Sequence, residues 1–452
     1  MTLFLAALMT LSLSFPRGEI VDSVICEEDS SQSYAVYLPS DYTPEKQWPV
    51  LLALDPGARG NAPLQVFREA AEEYGYIVVG SNNSRNGPMN PALYAVERMW
   101  EDARERFSVD KQRVHLTGFS GGVRVAGRFA QSLPEVKAVI GCGAGFDLDK
   151  STAKVPFTFV GVCGSRDMNY MWLQTLNAEL LNRKTSSRLV IFDGEHHWPP
   201  AELCREAIQW VELASYREGR LPVNSELVNK LYQSERERAK ELEESGDFFR
   251  SYLIQLDLRS DFDGLKKLDE VNRSIRNLAG KERLRDSWKK ARDLEQEESR
   301  YLKEILSEFL DTSRRRETAW WEKKIKNIRN IAVRDPNRAH QLMVKRLIDA
   351  LWRNGYERAW LATLDQDYET AVYFAEVAVL VMPESSEVLY NLARMYALNQ
   401  QDPAAIETLR QAIAAGLTNV NRIEEDHAFE SLRLLPELAP FLAVGRNSGN
   451  EK

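Results

Sequence analysis

Between residues 34 and 217, short apolar runs alternate with stretches whose apolar positions recur every three to four residues. The runs at 34–38, 50–54, 76–80, 114–117, 136–142, 157–162 and 189–192 are nearly continuous, the pattern of strands buried on both faces of a mainly parallel sheet. Helical periodicity fills the gaps at 63–74, 91–107, 123–132, 168–182 and 201–216. This alternation predicts an α/β domain whose strand ends deliver side chains to one crevice. After Gly219-Arg220-Leu221-Pro222 the sequence becomes charge-rich and helical, with helices expected at 225–245, 248–258 and 281–310. The expected organisation is an α/β domain over 19–218, a charged helical region over 219–350 and a repeat region over 351–445.

A length of 452 residues exceeds what one core fills and agrees with that division. Near the C-terminus Ala371, Val372, Ala378 and Val379 recur 34 residues later as Ala405, Ile406, Ala412 and Ile413. Small residues at these places let helices approach closely, Pro383 closes the first unit, and Leu389, Leu392, Ala393 and Tyr396 fit the next helix. The segment resembles tetratricopeptide repeats over two units, with a poorer third before them and a cap over 429–442. That resemblance implies a surface for a protein partner.

The chemistry centres on Gly118-Phe119-Ser120-Gly121-Gly122, which follows an apolar strand and opens a helix. The spacing fits the G-x-S-x-G turn, in which strained backbone exposes the serine and small residues two before and two after let strand and helix meet. A serine hydroxyl needs a base to become nucleophilic, and the base needs an acid to fix its tautomer. The chain holds five histidines. His115 lies inside the strand that leads to the turn, and His340 and His427 belong to the helical region, which leaves His196 and His197 after the strand at 189–192. A carboxylate, Asp167, follows the strand at 157–162. Its rival Asp193 is too close in sequence to His196 to reach behind the ring.

Here the sequence resembles the α/β-hydrolases, and among them compact esterases related to polyhydroxyalkanoate depolymerases, feruloyl esterases and dienelactone-hydrolase-like proteins. The resemblance covers about 180 residues and rests on the serine turn and on His196-His197-Trp198-Pro199, similar to the His-x-Trp-Pro segment that often carries the base in those enzymes. It implies the order Ser120, Asp167, His196 for nucleophile, acid and base. An acyl-transfer oxyanion needs two donors, one expected from the N–H of Gly121. The second is expected from the loop Asp55-Pro56-Gly57-Ala58-Arg59-Gly60, where the esterases usually carry His-Gly. Asp55 departs from that pattern, and Pro56 has no N–H, so Gly57 or Ala58 is the candidate. The polar loop 81–88 should lie at the crevice rim, with Asn82, Arg85, His197 and Trp198 as candidate substrate contacts. Arg85, with Arg59 and Arg166, would suit an anionic or hydroxyl-rich substrate. No stretch is long enough for an independent lid.

The balance of 67 acidic against 59 basic residues gives no general attraction to nucleic acid or an anionic membrane, and neither partner is expected. Cys26, Cys142, Cys163 and Cys204 lack metal-ligand spacing, so no metal or other cofactor is expected. Residues 3–15 form an apolar run too short to span a bilayer, with Ser12 and Ser14 as small residues for cleavage. Residues 1–18 are therefore expected to be a signal peptide and the protein periplasmic or secreted, although the positive n-region is missing; a cytoplasmic enzyme is the alternative. The functional expectation is a serine hydrolase that cleaves a small or polymeric carboxylic ester through an acyl-enzyme. A peptidase or thioesterase would use the same groups, and a scaffold acting through the repeats is a reading of another class.

Overall fold

The computed structural model describes residues 15–148, 153–418 and 421–434. Nearly all of the expected signal peptide and the end of the expected cap lie outside them. Eight strands form one sheet: β1 (Ile20–Ile25), β2 (Ser33–Tyr37), β3 (Trp48–Leu54), β4 (Ile77–Ser81), β5 (Val109–Phe119), β6 (Val136–Cys142), β7 (Thr158–Gly164) and β8 (Ser187–Phe192). Their order is β1-β2-β4-β3-β5-β6-β7-β8. The β1/β2 and β2/β4 pairs are antiparallel, and every pairing from β4 to β8 is parallel. This order and these directions agree with the α/β-hydrolase sheet that the resemblance implied. Its central strands read as continuous apolar runs because every residue of β3, β4 and β7 is buried. Helices cover it as α1 (Asn61–Tyr74), α2 (Met89–Arg106), α3 (Gly121–Ser132), α4 (Tyr170–Asn182) and α5 (Ala201–Arg217).

By the density of contacts the chain divides into two compact units. One contains the described residues up to Ser165 together with Trp172–Ser287, and the other contains Arg166–Met171 and the described residues from Trp288 onward. The strand-and-helix alternation ends near residue 219, but the first unit continues through α6 (Ser225–Glu244), α7 (Phe248–Asp261) and α8 (Asp269–Ala279). Leu231 and Tyr232 of α6, Leu258 of α7 and Ile275 of α8 share one core with Phe67 of α1, Val160 of β7 and Trp210 of α5. Asn224 caps α6, accepting from the Glu226 and Leu227 N–H groups, and Asp247 caps α7, accepting from Arg250 N–H. A buried charge cluster joins the same elements. Arg188 of β8 pairs with Glu235, with Asp261 at 3.0 Å and with Asp257 at 3.5 Å, its guanidinium 4.1 Å from the Trp210 ring centroid.

The second unit contains most of α9 (Glu282–Leu310), then α10 (Thr318–Arg334), α11 (Arg338–Leu364), α12 (Tyr368–Val381), α13 (Ser386–Leu398) and α14 (Asp402–Ala414). Short connections join α11 to α12 and α13 to α14, and the helices of each pair pack on one another. Ala371 and Ala378 of α12 and their 34-residue counterparts Ala405 and Ala412 of α14 are buried, so the repetition falls on contact positions. Gly355 of α11 lies against α12, where a Cβ would be 2.9 Å from the Phe374 carbonyl oxygen. The segment 166–171 makes its own contacts in this unit: Met168 N donates to Asp349 Oδ2 at 3.2 Å, and the Arg346 guanidinium lies 4.4 Å from the Tyr170 ring centroid. No helix among the described residues is long and apolar enough to cross a membrane.

Candidate active site

β5 delivers Ser120 at its end, and α3 begins with the next residue. Ser120 has φ 51° and ψ −121°, a conformation that crowds an L-residue. Its neighbours impose it. Ser120 N donates to the Cys142 carbonyl of β6 at 3.0 Å, and Val123 N donates to the Ser120 carbonyl at 3.0 Å. The flanking glycines are sterically required. A Cβ on Gly118 would lie 2.5 Å from the Gly122 carbonyl carbon, and one on Gly122 would collide with the Leu54 carbonyl oxygen of β3. The G-x-S-x-G spacing thus lets β3, β5 and α3 converge beneath the serine.

His196 Nε2 and Ser120 Oγ are 2.9 Å apart. The imidazole is buried and lies 4.7 Å from the Phe119 ring, centroid to centroid, while Ser120 remains half-buried. His197 faces solvent, its Nδ1 2.6 Å from the Trp198 carbonyl oxygen, and only His196 meets the serine. His115 is buried in β5 without a hydrogen-bond partner on either ring nitrogen, and burial pushes its pKa well down, so it is a neutral core residue. Asp167 is fully buried on the loop after β7 and accepts from Asn169 N at 2.8 Å. Asp193 is exposed, 3.5 Å from Ser165 Oγ.

Asp55 organises the loop after β3. Its Oδ1 accepts from Gly57 N at 2.8 Å and Arg59 Nε at 2.8 Å, and its Oδ2 accepts from Arg59 Nη2 at 2.9 Å and Trp198 Nε1 at 2.9 Å. Ala58, at φ 57°, donates its N–H to the Asp55 carbonyl at 3.0 Å. The N–H groups of Gly57 and Ala58 are therefore both engaged within their own loop. Gly121, the first residue of α3, has no partner for its N–H inside the helix.

Asn82 accepts from Gly60 N at 3.2 Å and donates to the Asp22 carbonyl at 3.0 Å, so it ties strand ends together. Arg85 is exposed and forms an isolated antiparallel bridge with Gly57; Asn86 N donates to the Pro56 carbonyl at 2.9 Å. These two links bring the loops after β3 and β4 together at the crevice. Asn86 itself had no distinguishing signal in the polar run 81–88, yet its side chain reaches Gly121. Cys26, Cys142, Cys163 and Cys204 are buried as thiols rather than joined in disulfides.

No known family profile and no curated protein matches the chain. Solved structures resemble parts of it. A thermostable esterase is 19% identical over 42% of this chain and 61% of its own, with a TM-score of 0.33, so the chain spans less than two thirds of that protein. The S-formylglutathione hydrolase of Staphylococcus aureus is 14% identical over 44% of this chain and 99% of its own, with a TM-score of 0.34. A feruloyl esterase module from Clostridium thermocellum is 13% identical over 42% and 85%, also at 0.34. Likeness at this level carries no weight for the activity of this chain.

Proposed function

We propose that the protein is a serine hydrolase acting on a carboxylic ester through an acyl-serine. The observation that carries this reading is the 2.9 Å separation of Ser120 Oγ from His196 Nε2, with the serine in a left-handed backbone conformation at a strand end. With its proton on Nδ1, the imidazole accepts the Ser120 proton as Oγ attacks the ester carbonyl, and it returns that proton to the departing alcohol. Water then attacks the acyl-serine by the same exchange. The acid is assigned to Asp167, the buried carboxylate on the loop after β7, in the chain order Ser, Asp, His. Gly121 N–H is assigned as the first oxyanion donor. The exposed guanidinium of Arg85 is assigned to substrate contact at the rim, as is Trp198, which stands between the loops after β3 and β8.

Hydrolysis of short-chain aryl esters beside Ser120→Ala, with mass spectrometry after a fluorophosphonate probe, tests the reading. Labelling at Ser120 and turnover that vanishes in the variant support it. A folded protein that neither turns over nor takes the label overturns it, and then the second reading stands: a scaffold whose paired helices bind a protein partner. That alternative is motivated by the burial of the repeated alanines of α12 and α14.

A further inference from the structure

We infer that Asp349 of α11 is a positioning residue for the catalytic acid, an inference that rests on the hydrolase reading above and on its assignment of Asp167. A carboxylate serves an imidazole only when it is presented within hydrogen-bond reach and in line with the ring N–H. The turn that carries Asp167 has a local shape of its own. Asn169 N donates to Asp167 Oδ1 at 2.8 Å, and Tyr170 N donates to the Asp167 carbonyl at 3.0 Å. Bonds inside a turn fix its shape but not the direction in which the whole turn faces, and that direction needs an anchor outside it. Met168 N, the amide directly after Asp167, supplies the link by donating to Asp349 Oδ2 at 3.2 Å.

Asp349 is itself pinned in the pose this bond requires. Its Oδ1 accepts from Trp352 Nε1 at 2.9 Å and from Arg353 Nε at 2.7 Å, while Oδ2 meets Met168 N. One turn earlier on α11, the Arg346 guanidinium lies 4.4 Å from the Tyr170 ring centroid, and the buried Glu298 holds that arginine, Oε1 accepting from Nε at 2.6 Å. α11 therefore grips the acid's turn at two points, the amide just after Asp167 and the Tyr170 ring. The two grips differ in kind. A ring contact tolerates sliding, whereas a hydrogen bond from a backbone N–H to a carboxylate is short and directional. Asp349 is thus the group whose loss lets the turn swing while its internal bonds stay intact, and its effect on catalysis passes through Asp167.

The test compares Asp349→Ala, Asp349→Asn, Asp167→Ala and the double variant Asp167→Ala/Asp349→Ala with wild type in steady-state hydrolysis of a short-chain aryl ester, alongside thermal melts and fluorophosphonate labelling of Ser120. Asp167→Ala should lower kcat by about 10³–10⁴. Asp349→Ala should lower it by about 10–10² with little change in KM, the effect of a misplaced acid. In Asp349→Asn the one carboxamide oxygen goes to Arg353 and Trp352, the amide nitrogen then faces Met168 N–H, and kcat should fall by about tenfold or more. Once Asp167 is alanine there is no acid left to aim, so adding Asp349→Ala should cost less than about threefold, whereas a merely structural loss would multiply. A kcat within about threefold of wild type in either folded Asp349 variant, or a full further loss in the double variant, overturns the inference and leaves the hydrolase reading intact. An Asp167→Ala variant that keeps its activity removes the acid assignment and the inference with it. A wild type that neither labels nor turns over removes the hydrolase reading as well.

Discussion

Trp198 Nε1 donates to Asp55 Oδ2 across 2.9 Å, which bolts the loop carrying His196 to the loop after β3. The indole also lies tilted against Phe119 at 5.5 Å and edge-on to Phe67 at 6.4 Å, centroid to centroid, so Trp198→Phe should keep an aromatic ring in this packing while deleting the donor. Loss of a hydrogen bond to a charged group should cost about 1.5–3 kcal/mol of stability. Looser aim of the imidazole should lower kcat by roughly tenfold to a hundredfold. Thermal melts and ester hydrolysis on the same preparation check both.

The strain at Ser120 is measurable apart from catalysis. Glycine accepts φ 51° without a Cβ clash, whereas alanine does not. Ser120→Gly and Ser120→Ala lose the same hydroxyl, yet the glycine variant should be the more stable by about 1 kcal/mol, the strain relief exceeding its extra chain entropy. Denaturant midpoints of the two variants decide the sign.

Arg188 faces three carboxylates at once, those of Glu235, Asp257 and Asp261. Arg188→Ala leaves buried acids uncompensated and should destabilise the first unit by about 3–5 kcal/mol. Arg188→Met, which retains the apolar stem over Trp210, should not rescue it unless Glu235 is also made neutral. Urea melts of the single and double variants test that coupling.

Burial raises the pKa of Asp257 to about 6, and Arg188 opposes the shift while Asp261 and Glu235 reinforce it. A carboxyl raised on folding contributes stability that is fully present below its unfolded value and is lost as pH rises through about 6. Asp257→Asn should therefore gain on wild type between pH 4.5 and pH 7.5 in melting temperature. The gain should be modest, because 35% of the Asp257 side chain meets solvent.

Burial pushes the Cys26 thiol up to about 11, the Cys142 thiol up to about 12 and Cys204 well above the usual thiol range. At pH 8 the native protein should react with Ellman's reagent far more slowly than the same protein in guanidinium, because the thiolate is the reactive form.

Most of the sheet was legible because its central strands are buried on both faces, where continuous apolar runs leave little doubt; β6 occupies the expected 136–142 without adjustment. β1 escaped notice. It is an edge strand with exposed Asp22 and Ser23 and a register shift between Val21 and Val24, so it shows no alternation to detect. The elbow could be read from Gly118 and Gly122, since spacing alone encodes a steric need. What Asp55 does could not be read, because Trp198 lies 143 residues away and no local pattern records the bond. The packing of α6 to α8 into the first core was hidden for a similar reason. Glu235 looks like one more charge on a solvated helix until Arg188 is placed against it.

A sheet of this kind ends in two unpaired strands, and an open strand edge invites the edge of another molecule. At β1 the irregular register and exposed Asp22 and Ser23 spoil the template. β8 has no such irregularity: all six of its residues pair in register with β7, and its one charge, Arg188, is buried and already paired with Glu235 and Asp261. Of the two sheet ends, β8 is therefore the one whose backbone would serve as a regular template for another strand.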